Sequence, residues 1–291
     1  MMNLYIIGII AIAVMLVLQF ILRDRVGGFM TRLISGVILV LALLMIIGAG
    51  GAVLFFTSII LSLIGMSELF MAVGIRKGGK PDTLELFGYI GIAVYYLFLG
   101  ILPREYGWFG IPAALILLLI VYVRKFPDIH ITKVALVFFG FVYVAVMLSC
   151  VYLLRTVNNG HLHVWLIFLA SWGSDTCAYC AGRLFGKHKM APVLSPKKTI
   201  EGAIGGLIGA AVLGAIFGAI TRGPVLQYIF ITAIGAAVSM VGDLAASAIK
   251  RQYEIKDYGT LIPGHGGILD RFDSVIFTAP VICLLTLVFI R

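Results

Sequence analysis

Charged residues are scarce in this chain. Of its 291 residues, 12% are charged and 62% are hydrophobic, and the mean hydropathy is +1.11. Soluble domains carry about twice that share of charge, so the composition excludes a soluble globular protein. Only four cysteines occur, which excludes a disulfide-rich scaffold. Strictly alternating barrel strands and nucleic-acid-binding modules are also not recognisable. We therefore predict an all-α polytopic membrane protein.

Long apolar runs predict about ten membrane-spanning helices, because a helix needs roughly 20 residues to cross a bilayer core about 30 Å thick. The second and third spans form one run that is too long for a single crossing, and the small-residue break GAGG separates them. The first span is followed, not preceded, by basic residues, so we expect an uncleaved anchor. The predicted spans are 4–22, 33–48, 52–75, 86–102, 109–123, 131–154, 163–182, 199–221, 225–249 and 274–290.

Basic residues predict the orientation, since Lys and Arg in short loops accumulate on the cytoplasmic side. Alternate loops hold 18 of the 22 basic residues, which places the N-terminus outside and loops 183–198 and 250–273 in the cytoplasm. Attraction to anionic lipid headgroups is enough to explain the first three basic loops. The last two also carry Gly, Pro, His and Asp. We therefore predict a transmembrane scaffold over 1–160 and a catalytic region over 161–291.

Glu68, Asp175 and Asp243 lie well inside predicted spans, where an ionised group costs about 2.5 to 3.5 kcal/mol. Asp243 lies seven residues before Lys250, and Asp175 lies eight before Arg183. Both carboxylates therefore lie roughly 10–12 Å below the cytoplasmic helix ends and are expected to open to one cavity. For Glu68 we predict an internal hydrogen bond to another helix rather than a place in the site.

The stretch LIPGHGGILDRFDS, residues 261–274, supplies partners for these acids. Asp270 and Asp273 are three apart, so they share a face if the last helix begins at LDRFDSVIF. With Asp243 they form three convergent carboxylates, which suit Mg²⁺. An alternative is that the two acids only favour the dipole of a helix N-terminus. That alternative leaves the glycines around His265, which allow close approach of a phosphate, without a role.

The stretch GRLFGKHKMAPVLSPKKTIEG, residues 182–202, predicts a phosphate-binding loop. Lys197 and Lys198 directly precede a helix start at Thr199, where free N–H groups and the positive end of the helix dipole favour an anion. A nucleotide P-loop is rejected, because His188 stands where that motif requires Ser or Thr and no strand precedes it.

The segment SAIKRQYEIKDYGTLIPGHGGILDRFD, residues 247–273, resembles the signature of the phosphatidate cytidylyltransferases, or CDP-diacylglycerol synthases. SWGSDTCAYCAGRLFGKHKMAPVLSPKKTIEG and VGDLAAS extend the resemblance over about residues 165–280. RLISG at 32–36 resembles the usual family start, which leaves nine spans as the alternative to ten. The matching signature positions are Ser247, Lys250, Arg251, Lys256, Asp257, Gly259, Pro263, His265, Gly266, Gly267, Asp270, Arg271 and Asp273.

The resemblance implies a Mg²⁺-dependent enzyme of phospholipid biosynthesis that joins CTP and phosphatidic acid into CDP-diacylglycerol and releases pyrophosphate. It implies a multi-pass protein of the bacterial inner membrane, among membrane lipids, with its active site facing the cytoplasm. A monovalent cation such as K⁺ is a candidate companion of Mg²⁺. No nucleic-acid partner is expected, and a homodimer is left open.

By the same resemblance, three aspartates hold metal, and the remaining residues act in catalysis or bind substrate. The implied catalytic residues are Asp243, Asp270, Asp273, Lys250, Arg251 and His265, of which Asp243, Asp270 and Asp273 are the metal ligands. The implied substrate-binding residues are Asp175, Ser195, Lys197, Lys198, Thr199, Lys256, Asp257, Gly266, Gly267 and Arg271.

Two rival functions are a cation-coupled transporter and another lipid phosphotransferase or polyprenol kinase. Transporter sites usually lie near the membrane midplane between repeated halves. Here the acids gather toward one face and the two halves of the chain differ, so the transporter is disfavoured.

Overall fold

The computed structural model describes residues 28–76, 81–264 and 266–290, which are almost entirely helical. Helix α1 covers Gly28–Ala49 and helix α2 covers Gly51–Ala72. Between them Gly50 has a φ of 110°, a conformation that glycine adopts without strain. The predicted break at GAGG is therefore confirmed. The predicted first span, 4–22, lies outside the described residues.

Three further helices complete the N-terminal half of the chain. Helix α3, Thr83–Ile101, begins at a capping box in which the Asp82 side chain accepts a hydrogen bond from the backbone N–H of Leu84, and the Glu85 carboxylate accepts one from the backbone N–H of Asp82. Helix α4 covers Gly110–Arg124, after a 3₁₀ turn. Helix α5 runs over Ile131–Arg155 and contains a π-helical stretch.

The C-terminal half is built from five helices and one small hairpin. Its helices are α6 Gly160–Phe168, α7 Ser174–Phe185, α8 Ile200–Thr221, α9 Val225–Gln252 and α10 Leu269–Phe289. A π-helical segment, Leu169–Gly173, joins α6 to α7. Strands β1, Lys189–Ala191, and β2, Ser195–Thr199, pair antiparallel. The predicted phosphate-binding loop therefore contains a short two-stranded hairpin within an otherwise helical fold.

Seven helices within the described residues are long and apolar enough to cross a membrane. They coincide with seven of the ten predicted spans. The span predicted at 33–48 is helical, but its apolar part is short, and the span predicted at 163–182 is interrupted by the π-helical segment. The fold is therefore that of a polytopic helical membrane protein.

Close packing of α8 against α7 positions the hairpin. Small residues at every fourth position of α8, from Gly202 to Gly218, are buried, and a Cβ added to Gly206 would lie 3.0 Å from the Cβ of Ala178 on α7. Small residues of this spacing allow two helix backbones to approach closely. As a result, the end of β2 lies beside α7, which carries Asp175.

Candidate active site

Four aspartates from three helices line one cavity of about 410 Å³, here called the acid cavity. Asp270 and Asp273, which α10 contributes to this cavity, are only 6% and 8% exposed. Asp175 and Asp243 meet there, as their depth in the sequence predicted. The acid cavity is lined by Asp175 of α7, Asp243 and Lys250 of α9, and Asp270, Arg271 and Asp273 of α10.

Both carboxylate oxygens of Asp270 accept hydrogen bonds. Its Oδ1 accepts from Lys250 Nζ at 2.8 Å, and its Oδ2 accepts from the backbone N–H groups of Tyr258 at 2.8 Å and Gly267 at 2.9 Å. Gly266 has a φ of +85°, and a Cβ there would lie 2.9 Å from Asp270 Oδ2. Asp270 therefore organises the loop before α10, and Gly266 leaves the space that this requires.

Tyr258 contacts Lys250 through its aromatic ring. Its side chain is buried, its hydroxyl donates to the carbonyl of Ala246 at 3.1 Å, and the Lys250 ammonium lies 5.2 Å from its ring centroid. Burial and then the negative charges of Asp273 and Asp270 raise the pKa of Tyr258. The phenol is therefore a neutral donor that ties the loop to α9.

The basic loop forms a second cavity of about 440 Å³, here called the basic cavity. Lys198 forms an ion pair with Asp243, whose other oxygen lies 3.4 Å from the Ser247 hydroxyl. Thr199 caps α8, since its Oγ1 accepts from the backbone N–H of Gly202 at 3.1 Å. Asp175 and Asp243 line both cavities, so the two spaces adjoin. Cationic groups of the basic cavity come from Arg183, Lys197 and Lys198.

A pair that the sequence did not reveal anchors the hairpin to α8. Glu201 accepts hydrogen bonds from the backbone N–H groups of Lys187, at 3.0 Å, and His188, at 3.2 Å. The Nδ1 of His188 lies 2.6 Å from the Glu201 carboxylate. The chain leading into β1 is thereby held against the first turn of α8, which keeps Lys198 near Asp243.

Glu68 of α2 reaches the start of α10. It is 4% exposed, and its carboxylate accepts from the backbone N–H groups of Ile268 at 3.0 Å and Leu269 at 2.7 Å. These N–H groups have no partner within their own helix, and the positive end of the helix dipole favours the carboxylate. A Cβ on Gly259 or Gly267 would lie 2.5 Å from this carboxylate. The predicted internal hydrogen bond is confirmed, whereas its position beside the site was missed.

Several residues implied by the resemblance lie away from both cavities. Arg251 is exposed and donates to the carbonyl of Ile255 at 3.1 Å. Lys256 is exposed, and Asp257 lines a separate groove of about 910 Å³ beside Glu68. Ser195 pairs with Ala191 in the hairpin and lines neither cavity. His265 lies outside the described residues.

The metal set stays a prediction. Within the part of the chain that the structure describes, no three His, Cys, Asp or Glu side chains come together as a metal site. Instead, the ammonium groups of Lys198 and Lys250 contact Asp243 and Asp270. Four carboxylates around one cavity nevertheless match the oxygen donors that Mg²⁺ prefers. The donor chemistry therefore fits the ion.

Comparisons with known proteins agree with each other. A sequence profile described as "Cytidylyltransferase family" matches residues 30–289. A relative from Staphylococcus saprophyticus is 31% identical over 268 residues, 87% of this chain and 97% of the relative. One from Bacillus subtilis is 32% identical over 270 residues, 89% and 97% of the two chains. One from Staphylococcus aureus strain COL is 33% identical over 265 residues, 87% and 97%. Each of the three is named phosphatidate cytidylyltransferase.

Proposed function

The chain belongs to the cytidylyltransferase family, and on that premise we propose that it transfers the cytidylyl group of CTP to phosphatidate. The products are CDP-diacylglycerol and pyrophosphate. The observation that carries the proposal is the pair of adjoining cavities that share Asp175 and Asp243. A basic space beside an acid space suits a reaction that brings two phosphorylated substrates together.

The chemistry needs fixed cations more than it needs a base. A phosphate oxygen of phosphatidate attacks the α-phosphorus of CTP, and the bond from that phosphorus to the oxygen bridging the β-phosphorus breaks. The attacking group is already ionised, so no strong general base is required. Negative charge accumulates among the phosphates, and preorganised positive groups stabilise it. Lys197 and Lys198 supply such groups in the basic cavity, and Lys250 and Arg271 supply them in the acid cavity.

We further propose that Asp243, Asp270 and Asp273 hold Mg²⁺, with K⁺ as a candidate companion. Bound Mg²⁺ would neutralise phosphate oxygens and so favour the displacement. Lys198 and Lys250, which contact two of these carboxylates, would turn their ammonium groups to substrate phosphates. Asp175 would add a fourth carboxylate at the junction of the two cavities.

We also propose the topology and location of the protein. It crosses a bacterial inner membrane about ten times, with its N-terminus outside and its site facing the cytoplasm. Support comes from the 18 of 22 basic residues in alternate loops, including both loops that form the cavities. Alternation of short loops then places residues 155–163 outside.

The direct test is pyrophosphate release by the purified protein in detergent with Mg²⁺ and CTP. Phosphatidate, dolichol and no acceptor are compared, and the lipid product is identified by mass. We expect release with phosphatidate only, together with CDP-diacylglycerol. Release with dolichol, or CTP consumption without a lipid product, would support a kinase or hydrolase and reject the proposal.

A further inference from the structure

An apolar chamber of about 180 Å³ adjoins the acid cavity. Its walls come from α1, α2, α5, the end of α6 and the start of α10. Its lining residues include Leu39, Ala42 and Ile46 of α1, Leu54 and Leu61 of α2, and Phe272 of α10. A chamber lined in this way favours a hydrocarbon over a hydrated ligand.

The hydroxyl groups in the wall offer no donor to a ligand. Thr57 donates to the carbonyl of Val53 at 2.8 Å, and Ser58 donates to that of Leu54 at 2.8 Å. The other residues lining the chamber are hydrophobic. A polar occupant would leave its own groups without partners, which costs free energy.

The chamber borders the site. Leu39 lines both the chamber and the acid cavity, and Phe272 of the chamber directly precedes Asp273 of the cavity. From Leu39 to Ile46 the wall continues along α1 for roughly 10 Å at 1.5 Å per residue. The chamber therefore extends along α1 from a residue that it shares with the acid cavity.

We propose that this chamber holds one acyl chain of phosphatidate during transfer and limits which chains are accepted. The inference rests on the proposed function. Because the phosphate must reach the acid cavity, the attached chains have to leave that cavity through an apolar exit, and the chamber is such an exit. It points in the direction that a lipid chain takes when its headgroup lies at the membrane surface.

The test narrows the chamber from opposite walls, with Ala42→Phe on α1 and Ser58→Leu on α2. The matched control is Ala52→Phe, at an exposed position of α2 that lies outside the chamber wall. For each protein, kcat/KM is measured with dioleoyl and with dihexanoyl phosphatidate in mixed micelles at saturating CTP. Thermal unfolding is followed in parallel.

In the chamber variants we expect the ratio of dioleoyl to dihexanoyl kcat/KM to fall about tenfold, since pocket shape commonly discriminates by that amount. The control keeps the wild-type ratio. A wild-type ratio in both chamber variants, or an equal loss on both lipids in folded protein, overturns the chamber. If Ala42→Phe lowers the melting temperature, the smaller substitution Ala42→Val replaces it in the kinetic comparison. Wild-type protein that turns over neither lipid would instead reject the proposed function.

Discussion

The N-terminal and C-terminal halves of the molecule treat polar groups inside the membrane differently. In the N-terminal half such groups pair with each other: Ser62 lies 3.0 Å from the Tyr96 hydroxyl, and Tyr95 lies 2.7 Å from Ser149. In the C-terminal half the aspartates face cavities. Paired groups stabilise helix packing, whereas groups facing a cavity are available to a ligand. The division into a scaffold over 1–160 and a catalytic region over 161–291 stays a prediction.

Glu68 links the two halves of the molecule. It lies on a helix of the N-terminal half, yet it caps the helix that carries Asp270 and Asp273. The N-terminal half therefore does more than surround the site, because it fixes the start of α10.

The largest effect is expected from the aspartates of the acid cavity. Asp243→Ala, Asp270→Ala and Asp273→Ala should each lower kcat/KM about 100-fold or more, the scale seen when a charge-stabilising group is lost from an active site. Removing Mg²⁺ with EDTA should abolish wild-type turnover, and added Mg²⁺ should restore it. Pyrophosphate release measures both. The exposed Asp128→Ala is the control, and full turnover by any folded cavity variant removes that residue from the metal set.

The next effect tests whether the two halves are coupled through Glu68. Glu68→Ala leaves two backbone N–H groups without their acceptor, so stability should fall by about 1–3 kcal/mol and kcat should fall with it. Glu68→Gln retains one acceptor oxygen and should recover part of both losses. Denaturant unfolding and steady-state kinetics are measured together.

The matched control for this coupling is Ser62→Ala on the same helix. It removes the contact with Tyr96 but touches neither α10 nor the cavities. We expect lower stability with wild-type kcat. Equal kcat in Glu68→Ala and wild type would show that Glu68 only stabilises the fold.

A smaller effect is expected in the basic loop, with Lys198→Ala costing more kcat/KM than Lys197→Ala. Both lysines directly precede a helix start, where a positive charge without a partner opposes the helix dipole, but Lys198 is paired with Asp243. We therefore expect unchanged or slightly improved thermal stability for the variant of the exposed Lys197 alone. The test measures kcat/KM for CTP and for phosphatidate together with the melting temperature of each variant. Wild-type kinetics in both variants would identify the loop as a membrane-surface patch.

No loss of activity is expected from the last test, which concerns orientation. In a cysteine-free background, a cysteine at Asn159 should be modified by an impermeant reagent in intact cells, and one at Lys189 should be spared. Lys189 should react after the cells are opened. Labelling in the reverse pattern would show that the topology is inverted and that the cavities face the outside.

The local sequence pattern determined the membrane class and many local features of this protein. The membrane class and most spans follow from hydropathy, because the transfer free energy of a helix is a sum over its own residues. The break at Gly50, the cap at Thr199 and the shared face of Asp270 and Asp273 follow from backbone geometry over a few residues. Such features need no knowledge of distant neighbours.

Tertiary structure alone decided the contacts that complete the site. Glu68 accepts hydrogen bonds from the backbone N–H groups of Ile268 and Leu269, about 200 positions away, and Lys198 of β2 forms an ion pair with Asp243 of α9. The chamber beside Leu39 exists only where α1, α2 and α10 come together. These pairings depend on the angles and distances at which whole helices pack, which the local sequence pattern does not specify.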